Sequence, residues 1–248
     1  MKFLNNHSPS YDLTYNDVFL VPNYNNIPSR LDVDLTTPDK IGTNIPIVVA
    51  NMSAVAGRRM AETVARRGGV TVLPQDIPLD VLEEMVRYIK SRNLVFDTPL
   101  TLKIEDRVID ALNIIHKRSH GAVVIINDKN EPIGFFTEKD ATGYDRFTLL
   151  KDVINKEVLT VRDDLKPEQI YNYLYSNKVS TAPVVKNGKL VGIITQKGAL
   201  RSELYIPAVD KKGELLTAAA IGINGNVKLK TEQLLKIGVD IIVLDTAH

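Results

Sequence analysis

The chain has 248 residues, 44% hydrophobic and 25% charged, with 31 basic and 30 acidic residues for a formal net charge of +1. That balance fits a folded protein with a sizeable core; it excludes a disordered composition and gives no electrostatic support to a nucleic-acid or membrane partner. There is no cysteine, which rules out a disulfide framework and a Cys-ligated metal, and the start MKFLNNHSPSYD lacks the apolar core of a secretory signal, so a cytoplasmic location is expected.

In chain order, residues 11–22 read as extended and residues 23–40 as turn-rich coil around Pro28 and Pro38. Residues 45–50, IPIVVA, form a short β-branched run expected to be a strand buried on both faces. Met60, Ala61, Val64 and Ala65 then recur at helical spacing, with Arg66 and Arg67 in the last turn and Gly68-Gly69 as the stop. Residues 70–73 return to a strand, so the unit is strand–helix–strand with parallel strands. A second helix is expected after Asp76, Pro78 and Asp80, with Leu82, Met85, Val86 and Ile89 as its apolar stripe.

From residue 96 to residue 204 the chain repeats itself with a period of roughly 60 residues. The first copy has a helix face of Val108, Ala111, Leu112 and Ile115, a strand over 122–126, a turn over 128–131 and the stretch PIGFFTEKD from Pro132. The second copy has Pro167 at a first helical position, then Ile170, Tyr173 and Leu174. A strand over 182–185, a turn at Asn187-Gly188 and the stretch LVGIITQKG from Leu190 complete it. Each copy reads as a β-hairpin plus a helix. After Pro207 the earlier pattern resumes, with a buried strand over 215–221, a helix over 229–237 stopped by Gly238, and a strand over 239–244.

An α/β barrel interrupted by an inserted domain is the economical reading. Only four parallel strands are countable, about half of what a closed barrel of ~250 residues needs. The expectation is therefore a piece of a longer protein that stops halfway round the barrel.

The run LTYNDVFLVP from Leu13, followed by the block from Ile45 to Gln75, resembles the start of the IMP dehydrogenase/GMP reductase family. Ala50-Asn51-Met52 is more similar to the reductases, and the closest likeness is to the branch with an inserted pair of cystathionine-β-synthase-like (CBS) modules. The resemblance implies an α/β fold, a (β/α)8 TIM barrel about half present, with a tandem CBS pair. The implied boundaries are 1–95 for the first barrel part, 96–205 for the CBS pair and 206–248 for the resumed barrel. It further implies NADPH-dependent reductive deamination of GMP to IMP with release of ammonia, in a homotetramer or octamer. IMP dehydrogenase, turning IMP into xanthosine monophosphate with NAD, is the rival reading. A rival of another class is a non-catalytic purine-nucleotide sensor. Both family reactions use a cysteine that attacks C2 of the purine, and this chain has none.

The candidate site residues sit at strand ends. Met52 falls where the family places a methionine beside the purine, a task that suits a soft thioether, and Asn51 would supply an amide nearby. Asp245, with Thr246 and His248 after it, resembles the family's dinucleotide-site strand end; a carboxylate there can accept from ribose hydroxyls or a carboxamide, and can equally cap a following helix. In the first CBS copy, Gly134-x-x-Thr137-x-x-Asp140 resembles the module's nucleotide signature, with Thr137 bonding a phosphate and Asp140 a ribose of ATP or GTP. The ordinary alternative is a strand-to-helix cap. The second copy keeps Gly192 and Thr195 but has Gly198 in place of the Asp, which favours a single occupied site. His116 and His120 stand four apart without a third ligand, so no metal is expected. Residues 221–225, IGING, are not a dinucleotide fingerprint; their barrel position allows a place in the lining of a cofactor pocket, but the preferred reading is a plain turn.

Overall fold

The computed structural model describes residue 3 and residues 8–154 and 157–246. Two units are distinguished, residues 1–34 and 35–248. The first carries two short 3-10 turns, Tyr15–Asp17 and Arg30–Asp32. Asp17 closes one by accepting the Thr14 N–H at 2.9 Å and the Thr14 hydroxyl at 2.7 Å, and Ser29 caps the other by accepting the Leu31 N–H at 3.2 Å.

The second unit opens with β1 (Val48–Val49), α1 (Arg58–Arg66), β2 (Val70–Leu73) and α2 (Leu79–Lys90). A first repeat follows as β3 (Thr101–Leu102), α3 (Val108–Ile115), β4 (Ala122–Ile126) and β5 (Pro132–Thr137). The second repeat is β6 (Val161–Arg162), α4 (Pro167–Ser176), β7 (Thr181–Lys186), β8 (Lys189–Thr195) and α5 (Gln196–Leu204). The chain then returns to β9 (Ala218–Ile221), α6 (Val227–Ile237) and β10 (Ile241–Leu244).

Strands from both sides of the repeats join one parallel sheet in the order β1-β2-β9-β10, with Val72 against Ala218 and Leu73 against Ala219. Alternation along the strands divides its side chains between two faces. Leu73, Ala219 and Ile221 pack against Ala61 and Ala65 of α1, Leu82, Val86 and Ile89 of α2, and Leu234 of α6. Val70, Val72, Ala218 and Ala220 form a separate cluster with Ile241 and Val243 on the other face. Each fully buried aliphatic side chain of this kind contributes about 1.5–3 kcal/mol. Among the described residues the four strands do not close into a barrel.

The strand expected over residues 45–50 shrinks to Val48–Val49, and Val48 is exposed rather than buried. β1 is an outer strand with a neighbour on one side only, whereas β2 and β9, flanked on both sides, are buried throughout. Residues 215–217 are buried but outside the strand, because Leu215 pairs in an antiparallel bridge with Val209 instead.

The two repeats share one topology: a parallel strand pair around a helix, then an antiparallel hairpin. Asn187 and Gly188 take φ of +50° and +78°, the left-handed pair of a two-residue hairpin turn. The helix that a strand-to-helix cap after the first hairpin implies is only a 3-10 turn, Glu138–Ala141. Thr142 goes back to extended backbone and Gly143 takes φ +88°, which no α-helix continues through. The glycines of the two signature stretches have a packing reason. A Cβ at Gly134 would crowd Ile154 and come within 3.3 Å of Ile125 Cβ, and one at Gly192 would meet Phe96 Cβ at 2.7 Å.

At the N-terminal ends of β9 and β10, Lys90 donates to Asp210 at 2.7 Å and to both Asp240 oxygens at 3.0 Å. Asp240 also accepts the Thr217 N–H and hydroxyl, at 2.8 and 2.9 Å. Burial lowers the Lys90 ammonium's pKa, but these hydrogen bonds outweigh it and hold it above its ordinary value. Burial raises the Asp210 carboxyl, and the bonds from Lys90 and two backbone N–H groups outweigh that and hold it below. A raised Lys contributes stability fully present below 10.5 and lost as pH climbs through its folded value. A depressed Asp contributes stability present above 3.8 and lost as pH falls through its folded value. Urea midpoints measured across pH should therefore fall at both extremes, and Lys90→Met should flatten both limbs. Parallel profiles for parent and variant would show that the cluster does not carry the pH dependence.

Candidate functional site

Parallel strands bring all their C-terminal ends to one edge of the sheet, the edge where α/β folds hold ligands. Asn51 stands just past β1, Gln75 past β2, Gly222 to Asn224 past β9 and Asp245 past β10. Asn51 Nδ2 donates to Asp245 Oδ2 at 2.6 Å. β1 and β10 are the outer strands, which in a flat sheet would stand about 14 Å apart at ~4.8 Å per strand step. A direct side-chain bond between their ends requires the sheet to curl, so its concave edge is the site.

A cavity of about 380 Å³ opens there, lined by Gln75, Gly222, Asn224, Lys230, Asp245 and Thr246. Gly222 lets Gln75 lie close along this wall: a Cβ would come within 2.6 Å of Gln75 Oε1, and the amide would have to swing aside. Of the segment 221–225, for which the preferred reading was a plain turn and the alternative a pocket lining, Gly222 to Asn224 form one wall of the cavity. Beside it a smaller space of about 190 Å³ shares Gln75, Gly222 and Lys230, with Ile77, Leu82 and Leu234 as apolar lining. Amides, a carboxylate, a hydroxyl and one ammonium can orient a polar ligand at this edge. None of them is an activated nucleophile.

Of the expected residues, the structure brings Asn51 and Asp245 together and sets Thr246 beside Asp245. Met52 begins the turn after β1, where its carbonyl accepts the Val55 and Ala56 N–H groups at 2.9 and 2.8 Å; its side chain is exposed and lines neither cavity. His248 lies outside the described residues.

Thr137 and Asp140 make the strand-to-helix cap. Asp140 Oδ2 accepts the Thr137 N–H at 2.7 Å and its hydroxyl at 2.8 Å. The second repeat keeps half of this arrangement, with Thr195 Oγ1 accepting the Gly198 N–H at 2.8 Å. Asp140→Ala is accordingly expected to lower stability by about 0.5–2 kcal/mol through the lost cap, without any ligand. Denaturant titration measures this directly, and an unchanged midpoint would exclude the cap's contribution.

His116 and His120 do not form a pair. His116 is exposed, 3.9 Å from Glu138, while His120 is buried and held below its ordinary pKa by that burial. Among the described residues no three His, Asp or Glu side chains are grouped as metal ligands.

Sequence reasoning missed a polar cluster where α1 meets the first repeat. Glu62 is fully buried and accepts from Arg118 Nη1 and, at 3.1 Å, from the Thr98 hydroxyl. Arg118 Nη2 donates to the Tyr88 hydroxyl at 2.8 Å, and the Tyr88 ring lies under the guanidinium groups of Arg58 and Arg92. Arg66 donates to the Asn93 carbonyl at 2.7 Å and to Asp97 at 3.0 Å. Burial pushes the Arg66 guanidinium below its ordinary pKa, against the pull of Glu62 and Asp97. The available signal was positional: Glu62 and Arg66 share a helix face with Ala61 and Ala65.

The family described as "IMP dehydrogenase / GMP reductase domain" matches residues 12–248. A GMP reductase of Mycobacterium tuberculosis is 49% identical over 249 residues, covering 100% of this chain and 52% of the relative. An inosine-5′-monophosphate dehydrogenase of Nitrosopumilus maritimus is 30% identical over 241 residues, 95% of this chain and 51% of the relative. The chain thus spans about half the length of the curated relatives it matches. The crystal structure of a Trypanosoma brucei GMP reductase in complex with guanosine 5′-triphosphate superposes with a TM-score of 0.63 at 24% identity, over 95% of this chain and 59% of that one, which shows a shared fold.

Proposed function

The chain belongs to the IMP dehydrogenase/GMP reductase family, and on that premise we propose that the whole protein is a GMP reductase. It converts GMP to IMP with release of ammonia, using NADPH. The reductase direction is supported by 49% identity to a GMP reductase against 30% to an IMP dehydrogenase. The observation that carries the site is the 2.6 Å bond joining Asn51 and Asp245 across the concave edge of the sheet.

The residues at this edge fit the nicotinamide end of the cofactor. Gly222 leaves a cradle that a Cβ would fill, and Asp245 offers a carboxylate where ribose hydroxyls or a carboxamide need an acceptor. NADPH supplies a hydride when bound. Asp245, steadied by Asn51 and followed by Thr246 and His248, orients it, and Asn51 and Met52 help to seat the purine.

In this reading residues 1–95 and 206–248 belong to a TIM barrel and residues 96–205 are a tandem CBS pair regulated by ATP or GTP. The shared topology of the two repeats, and the rejoining of β2 with β9 around them, support that division. A nucleotide held by Thr137 and Asp140 would have to share Asp140 with its cap. The whole protein incubated with GMP and NADPH should consume the reduced nicotinamide and release ammonia, while IMP with NAD should give no reduction. The opposite pattern would make it a dehydrogenase, and silence in both assays with intact nucleotide binding would make it a sensor.

A further inference from the structure

Among the described residues lining the strand-end cavity of about 380 Å³, Lys230 is the one cation, and it stands where a helix ordinarily disfavours one. It is the fourth residue of α6, two after Lys228, and the first turn of that helix carries no acidic residue. A cation there faces the positive end of the helix dipole, the reverse of the favourable placement. Its helix-face neighbours, Asn226, Val227, Gln233 and Leu234, are uncharged, so no local ion pair offsets the repulsion. Lys230 is also exposed, so burial gives no packing reason for the residue.

The helix sets where this ammonium points. Helical side chains tilt toward the helix N-terminus, and Asn226, which caps α6 by accepting the Leu229 N–H at 3.0 Å, follows the Gly222 to Asn224 wall directly. Lys230 thus reaches back to the sheet edge, where it lines both the larger cavity and the adjoining space of about 190 Å³. The other charged residue of the larger cavity is Asp245. Its backbone N–H is tied to the Ile221 carbonyl at 2.9 Å and its carboxylate is held by Asn51 at 2.6 Å. Lys230 and Asp245 therefore line one cavity without pairing with each other. A ligand that donates hydroxyls at one end and carries an anion at the other matches this polarity, and a ribose 5′-phosphate is such a group.

We propose that Lys230 binds the phosphate next to the nicotinamide ribose of the cofactor. The ribose diol on Asp245 and the phosphate on Lys230 would fix that half of the dinucleotide at two points. The inference rests on the cofactor reading above and adds the residue that recognises the phosphate. NADPH and NADH both carry this phosphate, so Lys230 governs affinity for the dinucleotide and not the choice between the two.

Calorimetric titration of the whole protein at fixed ionic strength tests it, with reduced nicotinamide mononucleotide and reduced nicotinamide riboside as probes. Neither carries adenine, so binding elsewhere through that base does not enter the signal. The parent should prefer the mononucleotide. Lys230→Ala should bind the mononucleotide about tenfold more weakly and the riboside unchanged, and Lys230→Arg should restore most of the loss. The urea midpoint of Lys230→Ala should equal or exceed that of the parent, because the variant removes a cation from the positive end of a helix. Mononucleotide affinity unchanged by Lys230→Ala would overturn the proposal. So would an equal loss for both probes or a lowered midpoint, either of which would make Lys230 a structural residue. A parent that binds the riboside without preferring the mononucleotide would remove this inference alone, whereas a parent that binds neither probe would remove the cofactor reading with it.

Discussion

Replacing Glu62 with alanine is expected to destabilise the chain by about 3–5 kcal/mol, far more than removal of an ordinary surface charge. Glu62 is fully buried between Arg66 and Arg118, whose side chains are each 7% exposed. Without it, two guanidinium groups face each other in a poorly solvated junction and the Thr98 hydroxyl loses its acceptor. The comparison is Glu83→Ala, which removes a solvent-exposed pair with Arg87 and should cost at most about 1 kcal/mol. Because the penalty is that of unpaired buried charge, the double variant Glu62→Leu/Arg118→Leu should recover much of the loss. Denaturant titrations of the four proteins decide it. A Glu62→Ala midpoint equal to that of Glu83→Ala would mean that water reaches the junction.

The same junction marks where the sequence stops being informative. Helix and turn boundaries follow from local chemistry, and they were legible: Pro167 opens α4, Asn187-Gly188 makes the hairpin turn, and Gly238 ends α6 with φ +93°. Strand burial was legible only where neighbours were guaranteed. The IPIVVA run looks as apolar as β2, but nothing within it says that β1 lies at an edge. Asn51 and Asp245 could be assigned to strand ends because a parallel sheet puts those ends on one side. Their mutual hydrogen bond could not, since it depends on how far the sheet curls. Gln75 was missed for a related reason, because only the curl of the sheet brings it to the cavity beside Gly222, whose barrel position alone already marked its segment as a candidate lining. Arg66 was read as a helix-end charge, His120 as half of an incomplete metal pair, and Glu62 was not singled out. They are buried because a repeat beginning some thirty residues later packs over α1, a tertiary effect that local periodicity does not encode.

These 248 residues by themselves are expected to leave NADPH unconsumed in the presence of GMP, and NAD unreduced in the presence of IMP. The chemistry of the strand-end site gives the reason. Displacing an amine at C2 of a purine, as the family likeness implies, begins with attack by a nucleophile that can later be expelled, and a thiolate does this readily. The chain has no cysteine. Asn51, Gln75 and Asn224 carry amides, which bind but do not attack. Asp245 is engaged by Asn51. Lys230 is the remaining cation of the cavity, and an ammonium has no free electron pair with which to attack. What the edge offers is hydrogen-bonding groups that can orient a polar ligand without starting the reaction. Absorbance of the reduced nicotinamide should therefore drift at the rate of the enzyme-free control. A longer product of the same reading frame that includes a cysteine-bearing strand–loop should turn over. Turnover by the 248 residues that persists through repurification would show that the reaction here uses a nucleophile other than sulfur.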